Sequence, residues 1–290
     1  MRFQRILTVL DRPNRPQMAL KRAARLAQDL DVAIQPVSFL WNELAENRAA
    51  YDAKQRRKMK HQLLESHQTW LDELSEQEPL AAKTRVVWGH DIEHWLLANQ
   101  RAGDLVLKTS TGSKRGRSAL DWHLISHSVA PVWLVGHRRI RRPKAIVAAL
   151  DLAHKDSVHR RLNVRVLDTA ADLAAATGAQ LHVAYAVEVP TPLTDLDVID
   201  PHKARAQVVK NTKQALARLL KPYNVKLSHT HFPVGPIGAA IADTVKEVGA
   251  DVLVAGTCAH PIKEAVGLGN SAQRIVRKSP VDVVTVPLGD

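Results

Sequence analysis

The residues with most to offer chemically cluster in the second half of the chain. Gly267-Leu268-Gly269-Asn270-Ser271 runs straight into a helical stretch that begins Ala272-Gln273-Arg274-Ile275. Glycines ahead of a helix N-terminus leave backbone N–H groups uncovered beside the positive end of the dipole, which suits a phosphate. About ten residues earlier an aliphatic strand runs into Ala255-Gly256-Thr257-Cys258-Ala259, and a second strand, Lys144–Leu150, ends at Asp151. The first half offers the matching Asp11 and a polar, basic loop, Thr109–Arg117, that meets an anion by charge or is simply solvated. An aspartate after a strand is a polar contact for a ligand or an ordinary helix N-cap.

Other signals are weaker. Gly267-x-Gly269-x-x-Ala272 matches the dinucleotide fingerprint as a string, but it does not follow the first strand as that motif requires. Among the 14 histidines, His229 and His231 are expected to alternate along a strand and His123 and His127 to share a helix. Neither pair has a third ligand in the sequence, so surface histidines are expected and no metal site. Cys258, the only cysteine, is read as a small hydrophobe and not as a reactive thiol. No set of nucleophile, base and orienting group is apparent, so no catalytic residue is expected. The tryptophans, Trp88, Trp95, Trp122 and Trp133 among them, are expected to anchor cores or interfaces.

The elements that must position these residues occur twice. Arg5-Ile6-Leu7-Thr8-Val9-Leu10-Asp11 and Lys144-Ala145-Ile146-Val147-Ala148-Ala149-Leu150-Asp151 are aliphatic strands ending in Leu-Asp. Each precedes a helix whose apolar residues recur every three to four positions, at Ala19, Leu20, Ala23, Ala24, Ala27 and Leu30 and at Val166, Leu167, Ala170, Leu173 and Ala174. Strands at Val32–Phe39 and Leu181–Val187 follow, then long crossovers at 43–77 and 194–221. Gly89-His90-Asp91-Ile92 and Gly235-Pro236-Ile237-Gly238 open further helices, which lead to Asp104-Leu105-Val106-Leu107 and Asp251-Val252-Leu253-Val254. Both halves close on an aliphatic strand, Pro131–Val135 and Val281–Val286.

This is a duplication, with expected domains at 1–138 and 139–290 joined by the basic, proline-broken stretch His137–Lys144. Strands alternating with helices give an α/β fold: two tandem flavodoxin-like, doubly wound domains, each with a five-stranded parallel sheet, strand order 3-2-1-4-5, and helices on both faces. Such sheets bind ligands at the carboxyl ends of their strands, here the loops after the first and fourth.

Composition agrees. Of 290 residues, 45% are hydrophobic but only 4% aromatic, as in aliphatic parallel sheets. There are 41 Lys and Arg against 29 Asp and Glu, a net +12 that divides into +7 for residues 1–140 and +5 for 141–290, so the excess is not a basic tail. No apolar run approaches the ~20 residues of a membrane span, and the N-terminus lacks signal-peptide character. With a single cysteine, the expected location is the cytoplasm.

On these residues the chain resembles the universal stress proteins, whose ATP-binding members carry Gly-x2-Gly-x9-Gly followed by Ser or Thr after the fourth strand and an aspartate ending the first. Here the second half reads Gly256-x2-Ala259-x9-Gly269-Asn270-Ser271, with Asp151 in the aspartate position. It is similar in particular to the tandem E-type branch, through Gly269-Asn270 and, in the first half, Asp104–Lys108 and Asp121-Trp122-His123-Leu124. The resemblance spans the whole chain. It implies ATP as the ligand, with Asp151 at the adenosine, Ala186 and Val187 flanking the base, Ala255 beside them, and Gly256, Gly269, Asn270 and Ser271 on the phosphates.

Ala259 departs from the second glycine, and Asn270 from the hydroxyl residue that Ser271 then supplies. The first half has lost the motif, with Lys108 and Thr111 at the two leading glycine positions. The resemblance also implies a pseudo-dimer in which Pro131–Val135 pairs with Val281–Val286, leaving room for a homodimer of the whole chain. The expected role is a stress-response binding module and not an enzyme. The alternatives are a nucleic-acid-associated factor, less favoured, using Arg138, Arg139, Arg141, Arg142 and the 56–60 cluster, and a carrier of an apolar, lipid-like ligand in the second-domain cleft.

Overall fold

The computed structural model describes residues 3–77, 84–110, 117–136, 141–154, 156–188, 200–223, 225–257 and 270–289. The first half builds β1 (Arg5–Val9), α1 (Met18–Leu30), β2 (Ala33–Leu40), α2 (Ala53–Gln77), β3 (Arg85–Trp88), α3 (Ile92–Asn99), β4 (Asp104–Thr109), α4 (Ala119–His127) and β5 (Val132–Val135). The second repeats the order with β6 (Ala145–Ala149), α5 (Ser157–Thr177), β7 (Gln180–Ala184), α6 (Pro201–Leu220), β8 (Thr230–His231), α7 (Ile237–Val248), β9 (Val252–Thr257), α8 (Asn270–Lys278) and β10 (Asp282–Pro287). The central strands are short aliphatic runs buried throughout, as a sheet covered on both faces demands.

The ten strands form one sheet in the order β3-β2-β1-β4-β5-β10-β9-β6-β7-β8. Each half therefore reads 3-2-1-4-5, and the two meet at their last strands. Pairing is parallel within each half. It is antiparallel only between β5 and β10, where Val132, Trp133 and Leu134 lie opposite Thr285, Val284 and Val283. The expected internal pairing of the two final strands is thus present, and it places both edges at the centre of the sheet, where neither can recruit another chain.

The repeat extends to backbone conformation. Gly89 and Gly235 stand at equivalent points after the third strands and hold φ of +155° and +133°. Glycine adopts such angles without the Cβ clash that other residues meet. On one face, a continuous apolar layer under α1 and α5 joins Ile6, Leu26, Leu105 and Trp133 to Ile146, Leu167, Val254 and Val284. The other face is covered by α3 and α4 in the first half and by α7 and α8 in the second.

Three expectations change. His229 closes a 3-10 turn, Leu227–His229, and β8 is only two residues long, so His229 and His231 do not alternate along a strand. Val187 lies beyond β7 and makes a lone bridge to Val234. The third change concerns alignment of the halves. Val9 pairs with Lys108 and its equivalent Ala149 pairs with Ala255, so the strand register matches Lys108 to Ala255 and Thr109 to Gly256.

Candidate functional site

The loop after β6 is pinned from below. The Asp151 N–H donates to Asn163 Oδ1 at 3.0 Å and Asn163 Nδ2 donates back to the Asp151 carbonyl at 2.6 Å. The first half does the same with Gln17 on Asp11. The Asp151 carboxylate faces its own loop. Oδ1 accepts from the N–H groups of Ala153 and His154, and Oδ2 lies 2.7 Å from His154 Nδ1. This carboxylate hydrogen bond raises the His154 imidazole above its usual value.

Ala255 and Gly256 lie at the neighbouring strand end, with Ala186 and Val187 buried beyond β7. A Cβ on Gly256 would stand 2.7 Å from Leu162 Cγ, so the glycine is required by the packing of α5 over β9. Asn270 opens α8 and Ser271 follows it, exposed. Ala259, Gly269 and Cys258 lie outside the described residues. The structure thus brings Asp151, Ala186, Val187, Ala255 and Gly256 to one end of the sheet.

Sequence reasoning missed two neighbours. Glu188 accepts from the N-terminal N–H of Ile237 at 3.1 Å and from Arg274 Nη1 at 3.0 Å, tying α7 to α8. The Tyr185 hydroxyl is raised by burial, with Asp151 and Glu188 adding to the effect. Both residues follow β7, and only its pairing beside β6 brings them near Asp151.

At the equivalent place in the first half, side chains bond to one another. Lys108 Nζ sits 2.8 Å from Asp121 Oδ1, with both side chains nearly or wholly buried, and also donates to the Thr109 carbonyl. Asp121 receives Ser110 Oγ, and Arg117 reaches Ser110 and, across the domain boundary, the Val276 carbonyl. Thr109 Oγ1 donates to Asp11 at 2.5 Å. Lys108 and Arg117 are therefore engaged internally. Of the loop expected to meet anions, residues 111–116, Thr111 included, lie outside the described residues.

His123 and His127 share a helix as expected, whereas His229 and His231 gather around a third histidine, His182. His231 Nε2 meets His182 Nδ1 at 3.0 Å, and Gln180 joins His182 to His229. Burial, reinforced by His231 and His229, lowers His182 to about 4. His123 and His127 stack at 4.3 Å on α4. A third group forms around Asp151: His159 Nε2 lies 3.9 Å from Asp151 Oδ2, and the His154 and His159 rings stack at 4.4 Å. The spacing Asp151-x2-His154-x4-His159 was the available signal for it.

Among the linker arginines, Arg141 pairs with Asp251 at 2.8 Å and Arg142 with Asp29, while Arg138 and Arg139 lie outside the described residues. Trp133 is fully buried at the join of the halves, Trp95 packs edge-on against Phe39, and Trp122 lies under Arg277, as anchors should. A cavity of about 480 Å³ opens beside Phe3, Val32, Asp31 and Asp172, at the opposite, amino end of the strands. No helix among the described residues is long and apolar enough to cross a membrane.

The sequence profile of the universal stress protein family matches residues 2–136 and again 145–287. The chain belongs to this family, which associates it with the stress response. It is similar over its length to universal stress protein E of Salmonella typhi, at 23% identity over 297 aligned positions covering 98% of this chain and 94% of that protein. The Haemophilus influenzae homolog of that protein is 25% identical over 300 positions, covering 96% and 95%. Two family domains aligned end to end with such relatives make this a tandem, E-type member. Among solved structures, a functionally unknown protein of Pseudomonas aeruginosa superposes with TM-score 0.72 at 21% identity, covering 98% of this chain and 92% of its own. A universal stress protein of Archaeoglobus fulgidus gives 0.66 at 17%, covering 98% of both chains.

Proposed function

We propose that this chain is a binding and regulatory protein, not an enzyme, which takes an adenine nucleotide, ATP by the expected motif, at the strand ends of its second half alone. The observation that carries this is the asymmetry between equivalent positions. The first half places Lys108 and Thr109 there, each bonded to a carboxylate, whereas the second places Ala255 and Gly256. The described residues suit an adenosine: apolar Leu162, Ala186 and Val187 beside the Asp151 carboxylate. Phosphates fall to Gly269, Asn270 and Ser271, where N–H groups at the start of α8 are free of helical partners. Leu162 fills the space over Gly256, so this glycine serves the helix first and the ligand second.

Titration of the purified chain with labelled ATP tests the reading. Gly269→Val abolishes binding, Gly112→Val leaves it unchanged, and Ala259→Gly, which restores the second glycine of the family motif, tightens it. Equal loss from the two valine variants overturns the asymmetry. Absence of binding by both the parent and Ala259→Gly overturns the nucleotide site.

A further inference from the structure

We propose that Asp151, His154 and His159 form a binding site for one divalent transition metal ion of the zinc type, on the loop between β6 and α5. Each of the three offers one ligand atom, and these atoms all lie within 4.8 Å of one another. Two imidazoles and a carboxylate are a donor set suited to zinc and its neighbours, with the fourth position left to water or another ligand. The separations, 2.7 Å from Asp151 Oδ2 to His154 Nδ1, whose shared proton the ion displaces, and 3.9 Å to His159 Nε2, bracket the ~3.3 Å between donors of a tetrahedral ion at about 2.0–2.1 Å. His154 is exposed and Asp151 and His159 half-exposed, so an ion reaches them from solvent and small side-chain rotations seat it.

The surroundings hold these donors in place. His159 Nδ1 donates to Asp156 Oδ2 at 2.6 Å, which puts the lone pair on Nε2, the nitrogen turned towards Asp151. A carboxylate behind a ligating histidine is the usual means of fixing its tautomer and orientation. Asp156 is itself fixed as the N-cap of α5, its Oδ1 accepting the His159 N–H at 3.0 Å. The Asp151 backbone is clamped by Asn163, and its Oδ1 is occupied by loop N–H groups, which leaves Oδ2 for the histidines. His182 and His231 lie in a different part of the second half and serve as an internal control.

The site is independent of the nucleotide reading, although the two share Asp151. Untagged full-length protein is titrated with Zn²⁺ against a chromophoric chelator, without nucleotide, and Co²⁺ is added to follow its d–d absorption. One ion per chain and a tetrahedral Co²⁺ spectrum are expected. His154→Gln and His159→Gln each lose both signals, Asp156→Asn weakens binding by about 10- to 100-fold as a positioning residue, and His182→Gln and Gly269→Val leave binding unchanged. His154 is exposed, so His154→Gln keeps the fold, which circular dichroism verifies. No stoichiometric binding by the parent, binding retained by both ligand variants, or loss only in His182→Gln overturns the proposal.

Discussion

Replacing Asp282 by Ala should destabilise the whole chain by about 3–5 kcal/mol, the cost of removing one partner from a buried ion pair. Asp282 opens β10 in the second half, yet its side-chain partners among the described residues belong to the first. Oδ2 receives Arg22 Nη2 at 3.2 Å and Trp133 Nε1 at 3.0 Å, and Oδ1 receives the Gly136 N–H at 2.9 Å. Both charged side chains are 7% exposed. Burial lowers Arg22 from the usual arginine range and Asp282 opposes that shift, so removing the carboxylate strands a guanidinium in a poorly solvated place. Arg22 keeps its hydrogen bond to the Arg141 carbonyl, which does not neutralise its charge.

Urea unfolding gives the magnitude. At a slope of about 3 kcal/mol per molar, the midpoint falls by about 1–1.7 M. All six tryptophans precede residue 134, so fluorescence follows the first half while far-ultraviolet circular dichroism follows both. The double variant Arg22→Met with Asp282→Leu removes the stranded charge and recovers part of the loss, the remainder being about 1–3 kcal/mol for each of the N–H groups of Trp133 and Gly136 left unpaired. A midpoint for Asp282→Ala within about 0.3 M of the parent, or a double variant weaker than the single, refutes the reasoning.

Acid should destabilise the fold through His182, which resists protonation when folded, at about 4, but takes a proton near 6.5 when unfolded. The stability it contributes is therefore present above pH 6.5 and lost as pH falls towards 4, by roughly 2 kcal/mol once solvent near the ring is allowed for; His182→Gln should flatten the decline of the urea midpoint between pH 6.5 and 4.5, and parallel profiles would contradict this. Gly256→Ala should cost about 1–3 kcal/mol by overpacking against Leu162, and Leu162→Ala in the same chain should cancel part of that cost, as read from thermal unfolding of the four-member cycle. Purely additive effects would mean that the two side chains do not meet.

Much of this protein follows from short-range pattern. The strand–helix alternation, the duplication and the 3-2-1-4-5 order rest on residues such as Ile6-Leu7 and Ile146-Val147, whose burial is set by local periodicity and whose crossovers have one favoured hand. Pairing of the last two strands was implied by the family resemblance, and it covers two aliphatic edges that would otherwise be open to solvent. The aspartates at Asp11 and Asp151 and the glycine at Gly256 were legible as types at the ends of strands.

Their roles were not. Counting from the glycine motif set Lys108 against Gly256, but the hydrogen-bonded register sets it against Ala255, and its ammonium meets Asp121 on α4. Asp104 and Asp251, which align the two strands without a gap, were the available signal for that register. His182 and His231 are 49 residues apart and Arg22 and Asp282 are 260 apart, so only the assembled sheet makes them neighbours. The loop from Asp151 to His159 is close in sequence, yet its donor atoms converge only because Asn163 clamps the strand end and Asp156 caps α5. Sequence determined which elements form and in what order, because that depends on each segment's own periodicity. Tertiary structure alone decided which polar groups are spent on each other and which are left to meet a ligand, because that depends on the distances between segments.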